Sequence, residues 1–424
     1  MDILFKNVKV YAPNSPFHLQ TLSLHIQQGK ISTIGTENEQ AESVIEADGL
    51  WVSAGWFDMH AEITDPGFEH KEDTVSAANA AAAGGFTEML CFANTEPLLQ
   101  TKNALQSLKQ QTKNLPVTFH AVGGATMNGE GKDLTEILDM QMHGAVAFSD
   151  GNIGIQQAEV VLKALQYLQI SDGLLINRAE HVKLNDRGQM HEGIVSTRLG
   201  LKGMPALAEE LQLTRDLELL AFNGGKLHIP FISSARSVEK IREAKAKGLN
   251  VTCGVATYQL AFTDEDIVPF DTNYKVNPPL RSAADRKALV EGLLDGTIDV
   301  LVSGHKPEDV ENKKLEFDHA AFGMINLETA FAVVRTYAKE LPLEVILEKM
   351  IVNPRRILNL PQPEIKENVD ANLTFFQPDV SWVYAENTVR SKSKNSPFIG
   401  MELTGKVFGT VHNGQFVRNE AYHG

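Results

Sequence analysis

His60 and Glu62 stand two residues apart at the end of the run Gly55-Trp-Phe-Asp-Met-His60. On a β-strand, residues i and i+2 project from one face. An imidazole and a carboxylate placed so make either a chelating pair for a metal ion or a hydrogen-bonded polar pair. Four further groups with chemical potential lie in or just after strand-like runs: Asp150, Arg178, His228 and His305. The two cysteines, Cys91 and Cys253, sit in apolar contexts and read as buried, reduced core residues. No Cys-x-x-Cys pair offers a structural zinc site.

The elements that would position these groups follow from the pattern. Residues 2–53 alternate short apolar runs with turn residues, which predicts strands at 3–5, 8–11, 22–26 and 31–34, with a hairpin turn at 27–30. From residue 55 the grammar changes. Helical stretches are expected at 73–83, 101–113, 134–143, 156–169, 205–222, 237–247 and 282–294. Strands are expected between them at 87–92, 117–122, 145–148, 173–176, 227–232, 250–256 and 300–303. Such alternation implies parallel βα units, and about eight of them fit a (β/α)8 barrel. A doubly wound sheet is the competing reading. Strands return at 373–376, 382–384, 406–411 and 415–417. Neither strand-rich end is long enough for a sound core of its own. The expected fold is therefore α/β: a TIM-like (β/α)8 barrel over 55–358, with a small β-sandwich built from 1–54 and 359–424.

Length and composition bound the function. The chain has 424 residues, 43% hydrophobic and 22% charged, which is ordinary for a globular protein. A net charge of −15 argues against nucleic-acid or anionic-membrane partners. The start, Met-Asp-Ile-Leu-Phe-Lys-Asn-Val, lacks the basic-then-apolar pattern of a signal peptide. No stretch approaches the ~18 apolar residues of a membrane span. A cytoplasmic protein is expected.

Several segments together resemble the dihydroorotases of the amidohydrolase superfamily. These are Gly84-Gly-Phe-Thr87 with Ala93-Asn-Thr-Glu-Pro97, Leu199-Gly-Leu-Lys-Gly-Met-Pro205 with Ala208-Glu209, Val276-Asn-Pro-Pro-Leu-Arg281, Phe322-Gly323 through Leu327-Glu-Thr329, and Ser391-Lys-Ser-Lys-Asn-Ser-Pro-Phe398 with Gly405-Lys-Val407. The resemblance runs nearly end to end. It implies one or two zinc ions that activate water and an aspartate that carries the proton. The reaction would be attack on a cyclic amide carbonyl at the barrel's C-terminal face.

The chain departs from that pattern repeatedly. Where the family has His-x-His, it has His60-Ala-Glu62. The family's Ser-Asp-Asp-Gly is Ser149-Asp-Gly-Asn152, so Asp150 aligns with one or the other acidic position. The family's His-x-Glu-Asp is Arg178-Ala-Glu-His181, and its His-x-x-His is His228-Ile-Pro-Phe231. Its Thr-Asp-His is Ser303-Gly304-His305, which removes the proton-carrying aspartate. The arginine that would grip a substrate carboxylate is Thr64. Asn94 and Asn277 survive as candidate contacts to a substrate amide, or as caps of backbone groups.

A guanidinium at Arg178 would repel a divalent cation and is expected to pair with Glu62 or Asp150. His60, Glu62 and Asp150 are candidates for a weak remnant metal site. The plainer reading of them is hydrogen-bonded polar residues in a wet barrel mouth. His228 and His305 match family positions but read first as satisfied core histidines, and Lys306 reads as an exposed loop charge, with a catalytic base as its alternative. The expectation is a disabled site, His60, Glu62, Asp150, Arg178, His228, Phe231, Gly304 and His305, with no cofactor where active relatives hold zinc. The resemblance implies a non-catalytic subunit that supports aspartate transcarbamoylase in pyrimidine synthesis, as part of a homo- or hetero-oligomer. Two alternatives stay open: an active zinc-dependent cyclic amide hydrolase with a rearranged site, and a non-catalytic small-molecule sensor.

Overall fold

The computed structural model describes residues 1–35, 40–92 and 94–419. Eight parallel strands form the barrel: Trp56–Ala61, Phe86–Cys91, Thr118–Gly123, Ala147–Phe148, Leu175–Ile176, Leu227–Ile229, Val251–Ala256 and Val300–Val302. A parallel bridge between Ala61 and His305 joins the last strand to the first and closes the ring. Closure excludes the doubly wound alternative.

Alternation sorts the strand side chains into two cores. Leu90, Phe92, Val122, Ile176, Val300 and Val302 join one apolar cluster. Their strand neighbours Met89, Cys91, Ala121, Leu175 and Leu301 join another with helix residues such as Leu105, Val161, Leu213 and Ile241. The helix Thr74–Ala83 lies close under this layer because its buried face is alanine, and Asp73 caps it by accepting from the Ser76 backbone N–H. Gly84 ends it where space forbids a side chain: a Cβ there would lie 2.1 Å from the Leu327 carbonyl oxygen. That contact gives the Gly84-Gly85 pair a packing reason.

The chain ends meet as expected, and their two halves pack face to face: the Phe5 ring of Asp2–Tyr11 lies 5.7 Å from the Phe416 ring of Gln415–Arg418, with three strands between them in the sheet. The ends form one continuous eight-stranded mixed sheet. Trp51–Ala54 pairs parallel with Asp2–Tyr11 on one side and antiparallel with Leu373–Val383 on the other. Hydrogen bonding thus runs unbroken from one chain end to the other. Phe5 stacks on Phe375 with ring centroids 4.0 Å apart, at the centre of this sheet's apolar face. The strands expected at 3–5 and 8–11 prove to be halves of Asp2–Tyr11, and those at 373–376 and 382–384 halves of Leu373–Val383, because register irregularities let them continue past polar residues. The helix expected over 134–143 shrinks to Ile137–Met142. Both cysteines are buried and free. Among the described residues no helix is long and apolar enough to cross a membrane.

Candidate functional site

The mouth of the barrel is built where its first and last strands meet. The His60 carbonyl accepts from the Gly304 N–H at 3.2 Å, and the Glu62 N–H donates to the His305 carbonyl at 2.8 Å. Beneath them the fully buried Asp58 accepts from the His60 and Ser303 backbone N–H groups and from the Ser303 hydroxyl. Pairing slips between Asp58 and Ala61. Sequence neighbours Met59 and His60 therefore both reach the interior, and the His60 ring lies between Phe92 and Phe231 at 4.3 and 4.1 Å.

One pocket gathers His60, Glu62, Arg178, Phe231, Asn277 and Gly304. It also takes in Lys306 and Tyr258. Lys306 is no exposed loop charge: its ammonium lies 3.0 Å from the Glu62 carboxylate. Glu62 therefore pairs with Lys306, and the expected Arg178 pairing with Glu62 or Asp150 does not form. Arg178 turns instead to Glu180, two residues on, with Nε 3.1 Å from Oε2. That N–H is poorly aimed, and the buried Nη2 has no hydrogen-bond acceptor. Asn277 donates to both Glu180 oxygens at 3.2 Å.

Four expected members, Asp150, Asn94, His305 and His228, do not line this pocket. Asp150 is turned away, accepting from the Thr126 backbone N–H at 2.8 Å and from its hydroxyl at 2.6 Å. Asn94 accepts from the Asn152 N–H at 3.3 Å and does not line the pocket. His305 is a core histidine: its Nδ1 accepts from the Asn326 and Leu327 N–H groups, which leaves the proton on Nε2, 3.4 Å from buried Glu72. Ala93 lies outside the described residues. Thr64 spends its hydroxyl on the carbonyls of Phe68 and Glu72.

Two groups were not singled out by motif: Tyr258, which lines the pocket, and Glu180, which meets the lining residues Arg178 and Asn277. Tyr258 falls just past the Val251–Ala256 strand end, which is where barrel-mouth side chains arise. Glu180 stands two residues after Arg178, the same i, i+2 spacing that drew attention to His60 and Glu62.

Charge in the pocket, and on His228 outside its lining, is set by burial. Burial drives the His60 pKa well below the imidazole range, helped by the positive charges of Arg178 and Lys306, so His60 is neutral at pH 7. His228 falls to about 3, mainly by burial and secondarily by Lys245. Its Nδ1 lies 2.8 Å from the Thr252 hydroxyl, and its Nε2 is buried without a partner. A histidine neutral in the fold and free to protonate when unfolded adds stability that is full above pH 6.5 and lost as pH falls below it. Between pH 7.5 and 5 the His228 contribution should drop by about 2 kcal/mol. The stability difference between wild type and His228→Gln, from urea melts at both pH values, should change by that amount. A constant difference would refute the burial argument.

A divalent cation does not fit this set. Phe231 and Gly304 supply no ligand atom, Glu62 is engaged by Lys306, and two cationic side chains face the space. Among the described residues no three His, Cys, Asp or Glu side chains gather so as to hold a metal ion.

Comparison with known proteins places this geometry. The chain is 39% identical to a dihydroorotase of Pelotomaculum thermopropionicum, over 99% of both chains. The chain belongs to the dihydroorotase family. A dihydroorotase of Syntrophus aciditrophicus is 38% identical, over 99% of this chain and all of its own length. The dihydro-orotase-like family model matches residues 50–237. Among solved structures, an L-hydantoinase (dihydropyrimidinase) from Arthrobacter aurescens superposes with a TM-score of 0.86 at 26% identity, over 99% of this chain and 96% of its own. A dihydropyrimidinase from Brevibacillus agri shares the fold at a TM-score of 0.82 and 20% identity. Against that dihydroorotase framework, the pocket is cationic and aromatic where the sequence resemblance implies histidines and an aspartate.

Proposed function

We propose that this chain is a non-catalytic member of the dihydroorotase family, working in pyrimidine biosynthesis as a subunit that supports aspartate transcarbamoylase. The observation that carries the first part is the buried Arg178 guanidinium, which shares its pocket with Lys306 and with Phe231 packed on His60. An activated water needs a metal or a base. Here the histidine is neutral but enclosed by two phenyl rings, and the carboxylates are held by cations. In this reading the chain binds no zinc. The partnership rests on the family resemblance, not on a surface feature.

The test has two arms. A preparation free of host dihydroorotase is assayed for interconversion of dihydroorotate and carbamoyl aspartate, and its zinc is measured. It is then mixed with the aspartate transcarbamoylase of the same cell and sized. The expected result is no turnover, less than about one tightly bound zinc per chain, and a shared complex. Turnover at ~1 per second or more would put an active hydrolase with a rearranged site in place of this reading. Failure to co-elute would remove the partnership alone.

A further inference from the structure

Arg178 is 6% exposed, and its Nη2 is buried with no acceptor. A charged donor left unmet in a protein interior is costly. The neighbouring charges do not relieve it. Glu62 is taken by Lys306 at 3.0 Å, and Glu180 meets only Nε, off line, while accepting twice from Asn277. The unmet group faces a space lined by Tyr258, Asn277 and Gly304.

We infer that this barrel mouth has reversed its ligand polarity and binds a small planar monovalent oxyanion, of formate or bicarbonate size, on the Arg178 guanidinium. The inference rests on the non-hydrolytic reading, since it takes the same pocket to hold no cation. Three observations select the ligand class. The pocket is narrow, about 280 Å³ of free space including its open mouth, of which only a small part is enclosed. That excludes a ring and admits one head group. A guanidinium presents its N–H groups as a flat fork, which a planar oxyanion meets with two oxygens. Tyr258 supplies a further donor: burial raises its pKa, so the phenol keeps its proton, and its hydroxyl lies 3.0 Å from where a Gly304 side chain would begin. Absence of a side chain at Gly304 lets the Tyr258 ring pack there and hold its hydroxyl at the pocket.

The experiment follows thermal melting of the full chain in sodium formate against sodium chloride at equal ionic strength. Chloride is a single spherical acceptor and lacks the two oxygens whose spacing matches the guanidinium fork. Formate should raise the melting temperature saturably and more than chloride does. In Arg178→Gln the midpoint concentration should rise about tenfold or more, the usual worth of a charged hydrogen bond. Crystals of the wild type grown with formate provide a second measurement should Arg178→Gln fail to fold. Planar density within hydrogen-bond distance of Arg178 Nη2 supports the site. A formate response no greater than chloride's, an unchanged midpoint in Arg178→Gln, density only elsewhere, or a zinc-induced shift in place of the formate one each overturns it. Dihydroorotate turnover is recorded on the same preparation. A silent protein without a formate response fails this inference alone, and an active one fails the reading beneath it.

Discussion

Restoring the family's five missing side chains together, Glu62→His, Arg178→His, Phe231→His, Gly304→Asp and Thr64→Arg, is expected to leave dihydroorotate hydrolysis at the background of the wild type, even with added zinc. The reason is in the backbone. Gly304 has a φ of +63°, which side chains rarely tolerate. A Cβ there would lie 2.8 Å from the Tyr258 ring and 2.9 Å from the Ala256 Cβ. An aspartate cannot enter without moving both. Thr64 is equally fixed, because its hydroxyl serves two carbonyls and it is buried. An arginine there would find no space and leave those carbonyls unmet. Lys306 would still stand in the pocket. Groups that act as a unit fail together, so the rate should stay at least ~1000-fold below the ~1 per second of slow ordinary enzymes. A steady-state assay with radiolabelled dihydroorotate checks this. Recovery to ordinary rates would mean that only side chains had diverged.

The largest effect on stability is expected at Arg355. Its guanidinium is fully buried. It donates to Glu88 at 2.7 Å, to the Gly55 carbonyl at 2.9 Å and to the Ile351 carbonyl at 2.8 Å. Glu88 also meets the His120 ring at 2.7 Å and accepts from Asn372 at 2.9 Å. One ion pair thus ties two barrel strands to Gly55, the junction after the N-terminal segment, and to Asn372 of the C-terminal one. Arg355→Met would strand Glu88 and should cost about 3–5 kcal/mol, read as a lower urea midpoint. Arg355→Met with Glu88→Gln should recover part of the loss, since the unpaired charge is then gone. Burial works to raise the Glu88 pKa, but His120 and Arg355 outweigh it and hold the carboxyl well below its usual range. A depressed carboxylate adds stability that is present above about pH 4.5 and lost as pH falls below it. Wild type should therefore lose more stability than the double variant on acidification from pH 5 to 3. Equal losses would count against the network.

The barrel was legible because helix and strand periods alternate so regularly from residue 74 to 302. The joined ends were legible because neither could bury its own apolar residues. What pattern could not show was the sheet's continuity, since Trp51–Ala54 is a four-residue strand that reads as linker. In the site, side-chain identity alone tells that Phe231 and Gly304 offer no ligand atom. Direction was another matter. The register slip between Asp58 and Ala61 turns His60 inward beside Met59, and no spacing rule anticipates a slip. Arg178 chose Glu180, its near neighbour, over the two carboxylates favoured by the expected layout. Asp150 went to Thr126, a residue of an adjoining loop that no motif had marked.

The sheet shared by the two chain ends has a consequence for synthesis. Trp51–Ala54 leaves the ribosome early, yet its antiparallel neighbour Leu373–Val383 lies roughly 320 residues later. At ~5–20 residues per second, the wait is roughly 16–64 seconds. For that time one edge of the nascent sheet has no neighbour, which is the condition under which strands recruit other chains. The barrel strands are all made in the meantime, while the Gly55 carbonyl waits for Arg355, which emerges shortly before Leu373. A growing chain of this design therefore carries its most adhesive surface at its oldest end, and polysome crowding acts there first.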